Sequence, residues 1–425
     1  MADTGKRSTE GLPLTRSTFA LLVIVASSAC AQATQRPNDA TQQSAGVVPG
    51  VEVLLGDSLH LIRGKRVGLI TNHSGRDRRG TSTIDLLYRA PGARLTALFG
   101  PEHGLRGVAE AGESVTTTTD SATGVPIYSL YGQTNVPTAE MLRDVDVLVY
   151  DIQDVGARVY TYEWTMALSA DAAGKLGKKF IVLDRPDPIR GDRVEGNILE
   201  PQYRSFVGQY PVALRYGLTA GELLRYLVGT GQVTADITVV PMRGWKRSMW
   251  WEETGIPWVV PSPNLRTVDG SLLYPGTVFF EGTNATEGRG TDKPFQLIGA
   301  EWLADAGAIA NEMNALRLPG VRFDSTSRTI ASSGGFKFSG KTIPMIEISV
   351  TDRNAVRAVD VGVRLLRAIY ARHQPQWQWR PSIERLAGTA ELRQAVEQGT
   401  VDALLAKWSR EASEFQERSR KYWLY

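Results

Sequence analysis

The sequence predicts an α/β protein built on a parallel sheet, and two observations favour this fold class. Short apolar runs rich in β-branched residues recur after residue 51, with little alternation of apolar and polar positions. Such runs are typical of strands that are buried on both faces of a parallel sheet. Segments with helical spacing separate the runs, as in βαβ units. No run is followed by a G-x-G-x-x-G turn, so no dinucleotide cofactor is expected.

Individual strands and helices can be assigned in the first half of the chain. Thr219 precedes one predicted helix and Glu222 follows three residues later, which is the spacing of a capping box. The predicted strands are residues 66–70, 95–99, 145–150 and 179–183, and further helical spacing is found over residues 83–88 and 164–173.

The chain has 425 residues, which is more than a single hydrophobic core usually supports, so two domains are expected. A shift in composition marks the boundary, because four tryptophans fall within residues 245–258 and a PSP segment follows them. We therefore predict a first domain over residues 51–262 and a second over residues 263–425. The second domain mixes strand and helix signals, which predicts an α+β arrangement, and it includes an amphipathic helix over residues 402–417.

The N-terminus has the order of a secretory signal. Residues 1–30 carry basic residues, then an apolar run too short to span a bilayer, then small residues that lead to the single cysteine, Cys30. Cys30 resembles the lipid-bearing cysteine of a lipoprotein, although Ser27 stands where leucine is usual and residues 31–33 offer an ordinary cleavage site instead. Residues 31–50 are predicted to form a flexible tether. We expect an exported protein, in the periplasm or anchored as a lipoprotein, with membrane contact only through that lipid.

Composition and charge exclude some partners and favour others. The net charge is only +3 and no basic run occurs, so nucleic acid is not an expected partner. The ten tryptophans and fourteen tyrosines provide flat aromatic faces, which suit sugar rings as well as hydrophobic cores.

Polar side chains follow each of the four predicted strands. Because the carboxyl ends of parallel strands lie along one edge of the sheet, and ligands bind beyond that edge, we expect these side chains to converge on one crevice. They are Asn72 and His73 after the first strand, Glu102 and His103 after the second, Asp151, Gln153 and Arg158 after the third, and Asp184 and Arg185 after the fourth.

Three reaction classes could use these polar side chains. A metal hydrolase is disfavoured because the chain has four histidines and neither H-x-H nor H-E-x-x-H spacing, so no metal is expected. Acyl transfer lacks both a G-x-S-x-G elbow and a useful cysteine. Glycoside hydrolysis fits best, since it needs one protonated carboxyl as acid and a second carboxylate as base or nucleophile.

Glu102 is a candidate for the acid, because its loop is flanked by glycines and leaves the side chain free to face the crevice. Asp151, Asp154, Glu281 and Glu287 remain candidates for the second carboxylate, with Asp151 and Glu287 the first to test. The last two glutamates lie in a segment dense in Gly and Thr, which is typical of a binding loop.

Several long motifs, in the same order, resemble the exo-β-N-acetylmuramidase family, long known only as a domain of unknown function. They are TNHSG (71–75), FGPEHG (99–104), YDIQDVGAR (150–158), PSPN (261–264), YPG (274–276), EGTN (281–284), EGRGT (287–291), LAGT (386–389) and RKYWLY (420–425). The likeness extends from about residue 51 to residue 425. It implies a Rossmann-like N-terminal domain, a smaller α+β C-terminal domain and a cleft between them.

The resemblance also implies an activity and a substrate. Members of this family remove single N-acetylmuramic acid residues from the non-reducing ends of peptidoglycan fragments (muropeptides), and Glu102 matches the family's proposed catalytic glutamate. The remaining motif residues carry over only as cleft-lining candidates, namely Asn72, His73, His103, Gln153, Arg158, Asp184, Arg185, Asn264, Glu281, Asn284 and Arg289. Residues 332–341 depart from the family's usual sequence, and we expect a surface turn there.

Two further hypotheses follow from the substrate. Muramic acid differs from N-acetylglucosamine by a lactyl carboxylate, which a guanidinium recognises well, so Arg158, Arg185 or Arg289 is expected to contact it. The main alternative function is a non-catalytic muropeptide-binding lipoprotein on the same scaffold, and an exported amidase or esterase is a third. Neither the oligomeric state nor the stereochemical outcome is predicted.

Overall fold

A computed structural model gives the fold of residues 46–102, 104–105 and 118–425. The predicted signal with Cys30, most of the predicted tether, and His103 lie outside the described residues. The tether was expected to extend to residue 50, but Val47 is buried and Val48 pairs with Arg243. The packed part of the chain therefore begins before Val51. In the part of the chain described here, no helix is both long enough and apolar enough to cross a membrane.

The strands and helices alternate through the first half of the chain and become mixed in the second. The strands are β1 Arg66–Thr71, β2 Arg94–Gly100, β3 Thr118–Thr119, β4 Pro126–Ser129, β5 Val147–Asp151, β6 Lys179–Leu183, β7 Glu195–Ile198, β8 Ala213–Arg215, β9 Ile237–Val240, β10 Leu297–Gly299, β11 Val321–Thr329 and β12 Thr342–Val350. The helices are α1 Gly50–Gly56, α2 Thr83–Tyr88, α3 Tyr162–Lys175, α4 Ala220–Gly229, α5 Val268–Thr277, α6 Ala306–Ala315, α7 Ala358–His373, α8 Ile383–Ala387, α9 Glu391–Gln398 and α10 Val401–Ser419.

The main sheet has seven strands in the order β3-β4-β2-β1-β5-β6-β9. Its neighbouring strands are parallel except β3 and β4. The chain moves outward from β1 through β2 to β4 and then returns to the other side of β1 to form β5, β6 and β9. The strand order thus reverses between β1 and β5, where a doubly wound sheet opens a ligand crevice at the carboxyl ends of its strands. The predicted α/β fold class is confirmed.

The strands are buried on both faces, as their lack of alternation predicted. Leu148 and Tyr150 of β5 belong to one hydrophobic core, whereas Val147 and Val149 belong to a second core on the opposite face. Every residue of β5 is buried. The centre of the sheet is therefore covered on both faces, whereas the edge strands β3, β4 and β9 are partly exposed.

The second half contains a three-stranded antiparallel sheet in the order β10-β12-β11, packed with helices, which is the predicted α+β arrangement. Two glycines bring α5 and α7 into close contact. A methyl group on Gly276 would collide with the Ala358 carbonyl, and one on Gly362 would collide with the backbone of Gly276. This close approach sets the position of the segment that follows α5, which contributes Glu281. The domain boundary at residues 262 and 263 stays a prediction.

Candidate active site

A cavity of about 250 Å³ lies beyond the carboxyl end of β2 and receives side chains from both halves of the chain. Ligand pockets usually measure ~300–1,000 Å³, so this volume suits a small ligand. Of the predicted site residues, the cavity brings together Glu102, Asn264, Glu281 and Arg289. The rest of its wall consists of Tyr131, Val159, Tyr160, Thr161, Tyr162, Phe206, Val207, Ser262, Leu265, Tyr274, Val278, Phe295 and Leu386.

Glu102 lies in a tight turn directly after β2. The turn closes where the Gly104 amide donates to the Pro101 carbonyl at 2.9 Å, and Gly104 has a φ of 70°, which glycine adopts without steric cost. Thr161, just before α3, donates its hydroxyl to Oε2 of Glu102 at 2.5 Å. The turn and this hydrogen bond orient the carboxyl group toward the cavity.

Two tyrosines near Glu102 have pKa values that depend on its charge. Burial raises the pKa of Tyr162 well above its usual value, and the charge of Glu102 contributes to the same shift. Burial likewise raises the pKa of Tyr274, with Glu281 and Glu102 adding to it and Arg289 opposing it. Carboxylates from both halves of the chain thus raise the pKa of Tyr274, so Glu102 and Glu281 lie around one space.

The second wall carries an alternating set of charges. Arg289 donates Nη2 to Oε1 of Glu281 at 2.6 Å, and its Nε lies 3.4 Å from Oε1 of Glu287. Lys337 Nζ lies 3.2 Å from the other oxygen of Glu287. The guanidinium of Arg289 also lies over the ring of Phe295, 5.4 Å from its centroid. Of these four charged residues, Glu281 and Arg289 line the cavity, whereas Glu287, a predicted catalytic residue, and Lys337 lie behind them and do not line it.

These contacts shift the pKa values of Glu281 and Glu287 in opposite directions. Burial raises the pKa of Glu281, Arg289 opposes the shift and Glu287 adds to it, so that the net change is upward. Burial also acts to raise the pKa of Glu287, but Lys337 and Arg289 outweigh it and the net change is downward. Two carboxyls whose pKa values diverge are a frequent mark of an acid–base site. The pKa of Glu287 is therefore shifted downward and that of Glu281 upward.

Asp151, a candidate for the second carboxylate, does not line the cavity. It is fully buried at the end of β5, where Arg185 donates Nε to Oδ1 at 2.5 Å and Nη2 to Oδ2 at 2.9 Å. The Thr83 hydroxyl donates to Oδ2 as well. Both carboxylate oxygens of Asp151 thus accept hydrogen bonds from neighbouring side chains, and the guanidinium of Arg185 is held in the same ion pair.

Arg158 is also used by the fold and not by the cavity. Its Nη1 donates to the carbonyls of Asn197 at 2.8 Å and Val212 at 3.0 Å, and its Nη2 donates to the carbonyl of Ala387 at 2.7 Å. Complete burial lowers its pKa to about 9. The guanidinium joins backbone segments that are distant in sequence, which is a structural role.

The other predicted site residues hold loops in place. Asp184 accepts from the Gly221 amide at 2.9 Å and from Thr219 at 2.7 Å, so it caps α4. Gln153 donates to the Pro186 carbonyl at 2.7 Å, and the Asn284 side chain pairs with the backbone of residues 376 and 378. None of these three side chains lines the cavity.

Asn72 and His73 lie close to the cavity without lining it. The Oδ1 of Asn72 accepts from the amide and hydroxyl of Ser74 at 2.9 and 2.6 Å, and its side chain also hydrogen-bonds Tyr162. His73 Nε2 lies 2.7 Å from the carbonyl of Val260. Asn72 thus supports a wall tyrosine, whereas His73 ties its loop to the segment before the PSPN motif.

Sequence reasoning missed the tyrosine-rich segment that precedes α3. Tyr160 and Tyr162 stack edge to face with ring centroids 4.7 Å apart, and Thr161 between them bonds Glu102. The available signal was position, since these residues directly follow the YDIQDVGAR motif. Composition could not reveal them, because buried aromatic residues are more often core than site. Among the described residues, no group of His, Cys, Asp or Glu is arranged to hold a metal ion.

Comparison with known proteins agrees with this architecture and assigns a family. A crystal structure of a DUF1343 family protein from Bacteroides fragilis matches with a TM-score of 0.82 and 36% identity, covering 89% of this chain and 99% of that chain. A second DUF1343 family protein from the same organism matches with a TM-score of 0.70 and 29% identity over the same shares.

The peptidoglycan β-N-acetylmuramidase NamZ of Bacillus subtilis is 43% identical over 398 residues, which are 93% of this chain and 95% of that protein. The N-terminal domain of the exo-β-N-acetylmuramidase NamZ family matches residues 67–269, and the family's C-terminal domain matches residues 272–425. This chain therefore belongs to the exo-β-N-acetylmuramidase NamZ family.

Proposed function

We propose that this protein is an exo-acting glycoside hydrolase that releases N-acetylmuramic acid from the non-reducing ends of peptidoglycan fragments. The observation that carries the proposal is the pairing of Glu102 with Glu281 around one cavity of single-sugar scale. The family membership and the peptidoglycan β-N-acetylmuramidase activity of the Bacillus subtilis relative support the substrate. A small cavity with two carboxyls suits removal of one terminal sugar at a time.

In the proposed mechanism, Glu102 protonates the glycosidic oxygen as the bond breaks. Its orientation is set by Thr161, which donates its hydroxyl to Oε2 of the carboxyl group. Glu281 supplies the second carboxylate that such hydrolysis uses, as the base that activates water or as the nucleophile. Its raised pKa makes it a stronger proton acceptor near neutral pH than an ordinary glutamate.

Arg289 is proposed to distinguish muramic acid from N-acetylglucosamine. Three arginines were candidates from the sequence. Arg158 bonds backbone carbonyls and Arg185 pairs with Asp151, whereas Arg289 lines the cavity. A cation at this wall attracts the lactyl carboxylate, which N-acetylglucosamine lacks. Arg289→Met should therefore weaken hydrolysis of a muramic acid glycoside more than that of a glucosamine glycoside. Equal losses on both would contradict this assignment.

The central experiment compares hydrolysis of a chromogenic muramic acid glycoside by the wild type, Glu102→Gln and Glu281→Gln. Each replacement removes a proton-transfer group while keeping its shape, so the rate should fall roughly 100- to 10,000-fold. Glu301→Gln is the matched control, since this glutamate is 44% exposed and pairs with Lys341 away from the cavity. Wild-type rates unaffected by chelator are expected. An inactive wild type that still binds muropeptides would instead establish the non-catalytic binding protein.

We also propose that the protein is exported, with Cys30 as the site of lipid attachment. The support is the order of charges, apolar run and small residues that ends at Cys30. In cells, wild-type protein should then fractionate with membranes and incorporate labelled fatty acid. Cys30→Ala should abolish both, whereas export of both forms without any label would identify ordinary signal cleavage.

A further inference from the structure

The segment over residues 332–341 is largely exposed, as expected of a surface turn, but residues 336–338 are partly buried. It connects β11 to β12, and its neighbour Ala331 donates its amide to the Gly290 carbonyl at 2.9 Å. The ring of Phe336 lies so close to Gly290 that a methyl group on that glycine would collide with it. The expected surface turn is thus present, and its partly buried centre, residues 336–338, contacts the loop that carries Glu287 and Arg289.

Lys337 is the one charged side chain between Ala331 and Gly340, and it is directed inward. Its side chain is only 13% exposed, and burial lowers its pKa while Glu287 opposes the shift. Its Nζ donates to the carbonyl of Phe280 at 2.8 Å, to the carbonyl of Ala285 at 2.7 Å and to Oε2 of Glu287 at 3.2 Å. These contacts use all three donors of the ammonium group.

The three contacts have a common consequence for Glu281. Phe280 and Ala285 lie on either side of it, so Lys337 fixes the backbone that carries this carboxyl. By pairing with Glu287, Lys337 also offsets the charge that would otherwise compete for Arg289. Arg289 accordingly makes its shorter contact, 2.6 Å, with Glu281 and its longer one, 3.4 Å, with Glu287.

We infer that Lys337 is a positioning residue of the glycosidase site, which ties the backbone on both sides of Glu281 and occupies Glu287, so that Arg289 remains directed at Glu281. The inference rests on the proposed role of Glu281. The groups that act on Glu281 are Arg289, Glu287 and Lys337, while Arg380 lies near Lys337. Lys337 touches none of the reacting atoms in this arrangement and acts only through its neighbours.

The test measures the titration of Glu281 directly, so that it does not depend on turnover. The full-length protein is labelled with ¹³C at the glutamate carboxyl carbons, and the Glu281 signal is assigned by its loss in Glu281→Gln. In Lys337→Gln, removal of a nearby positive charge should raise the pKa of Glu281 by about half a unit or more. Lys341→Gln is the control, because it makes the same charge change near the same segment but pairs with the exposed Glu301.

A second variant tests the inference from the opposite side. Glu287→Gln removes a neighbouring negative charge, so the pKa of Glu281 should fall by a similar amount. If Lys337→Gln does not fold, this variant decides alone, and an unchanged Glu281 titration overturns the inference. An unchanged titration in folded Lys337→Gln overturns it as well.

Activity is measured in parallel on the muramic acid glycoside. In Lys337→Gln, kcat should fall about tenfold or more with a smaller change in KM, and the acidic limb of the kcat profile should move upward with the Glu281 titration. If the pKa of Glu281 shifts in Lys337→Gln but the wild type shows no turnover, the proposed hydrolase activity is refuted, whereas the inferred arrangement of charges stands. Full activity in Lys337→Gln, with an unmoved pH profile, contradicts the positioning role.

Discussion

Replacing Asp187 by asparagine is expected to remove part of the pH dependence of stability. Asp187 follows β6, is fully buried and uses Oδ1 to accept from the Ile189 amide at 3.0 Å. Burial raises its pKa to about 8, with Asp154 adding to the shift and Arg215 and Arg247 opposing it. The folded protein therefore keeps this carboxyl protonated at pH values where an unfolded chain releases the proton.

The sign and size of the effect follow from proton linkage. Between pH about 4, the value for an unfolded aspartate, and pH about 8, the folded state binds one proton more than the unfolded state. The free energy of unfolding consequently falls as pH rises through this window, by about 1.4 kcal/mol per pH unit for this group. From pH 5 to pH 7 the loss attributable to Asp187 is about 3 kcal/mol. Asparagine has the shape of the neutral acid and binds no proton.

The assay is denaturant unfolding of wild type and Asp187→Asn at pH 5, 6 and 7 and constant ionic strength. Other buried acids contribute to both proteins, so the informative quantity is the difference in unfolding free energy at each pH. Relative to wild type, Asp187→Asn should become more stable as pH rises. Asp402→Asn is the matched control, because it makes the same replacement at a side chain that is 82% exposed. Parallel curves for wild type and Asp187→Asn would show that Asp187 is ionised in the folded protein and refute the reasoning.

Two further predictions concern buried cations. Arg185→Met removes the ion-pair partner of buried Asp151, so the free energy of unfolding should drop by about 3–5 kcal/mol. The double variant with Asp151→Asn should recover most of this loss. No recovery would show that Arg185 acts by packing alone. Arg158→Met removes a donor from three buried backbone carbonyls, of which that of Val212 keeps the Leu199 amide at 3.3 Å. The variant should lose about 1–3 kcal/mol for each carbonyl left unpaired, yet should not alter the preference between muramic and glucosamine glycosides. A changed preference would place Arg158 in substrate recognition after all.

Local sequence patterns predicted the strands of the sheet with good accuracy. The predicted strands at 66–70, 95–99 and 179–183 coincide closely with β1, β2 and β6, because burial on both faces leaves unbroken apolar runs. The capping box at Thr219 and Glu222 is also confirmed, with both reciprocal hydrogen bonds present. These features depend on residues close together in the chain, which is why a single sequence reveals them.

The expectation that all strand-end loops would serve one crevice agrees with the structure for the loop after β2 and for the end of the loop after β5, which contributes Val159, Tyr160 and Thr161 to the cavity wall. Near the strand-order reversal, Trp251, Ile256 and Val259 cover the ends, leaving only a space of about 30 Å³ beside Arg185. Side chains beneath that cover, such as Asp151, are satisfied by partners within the fold. Sequence cannot separate the two cases, because a buried polar group needs hydrogen-bond partners whether or not a ligand supplies them.

The sequence by itself determined the α/β class, the family resemblance and the place of Glu102 at a strand end. Only the tertiary structure decided that Glu281, rather than Asp151, shares a cavity with Glu102, and that Arg289 is the one of the three candidate arginines that lines it. It also revealed Lys337, whose segment shows no local motif. The physical reason is that charges act over a few ångströms of space and not along the chain. Which carboxylates, arginines and lysines meet depends on how α5, α7 and the segment before β12 pack together.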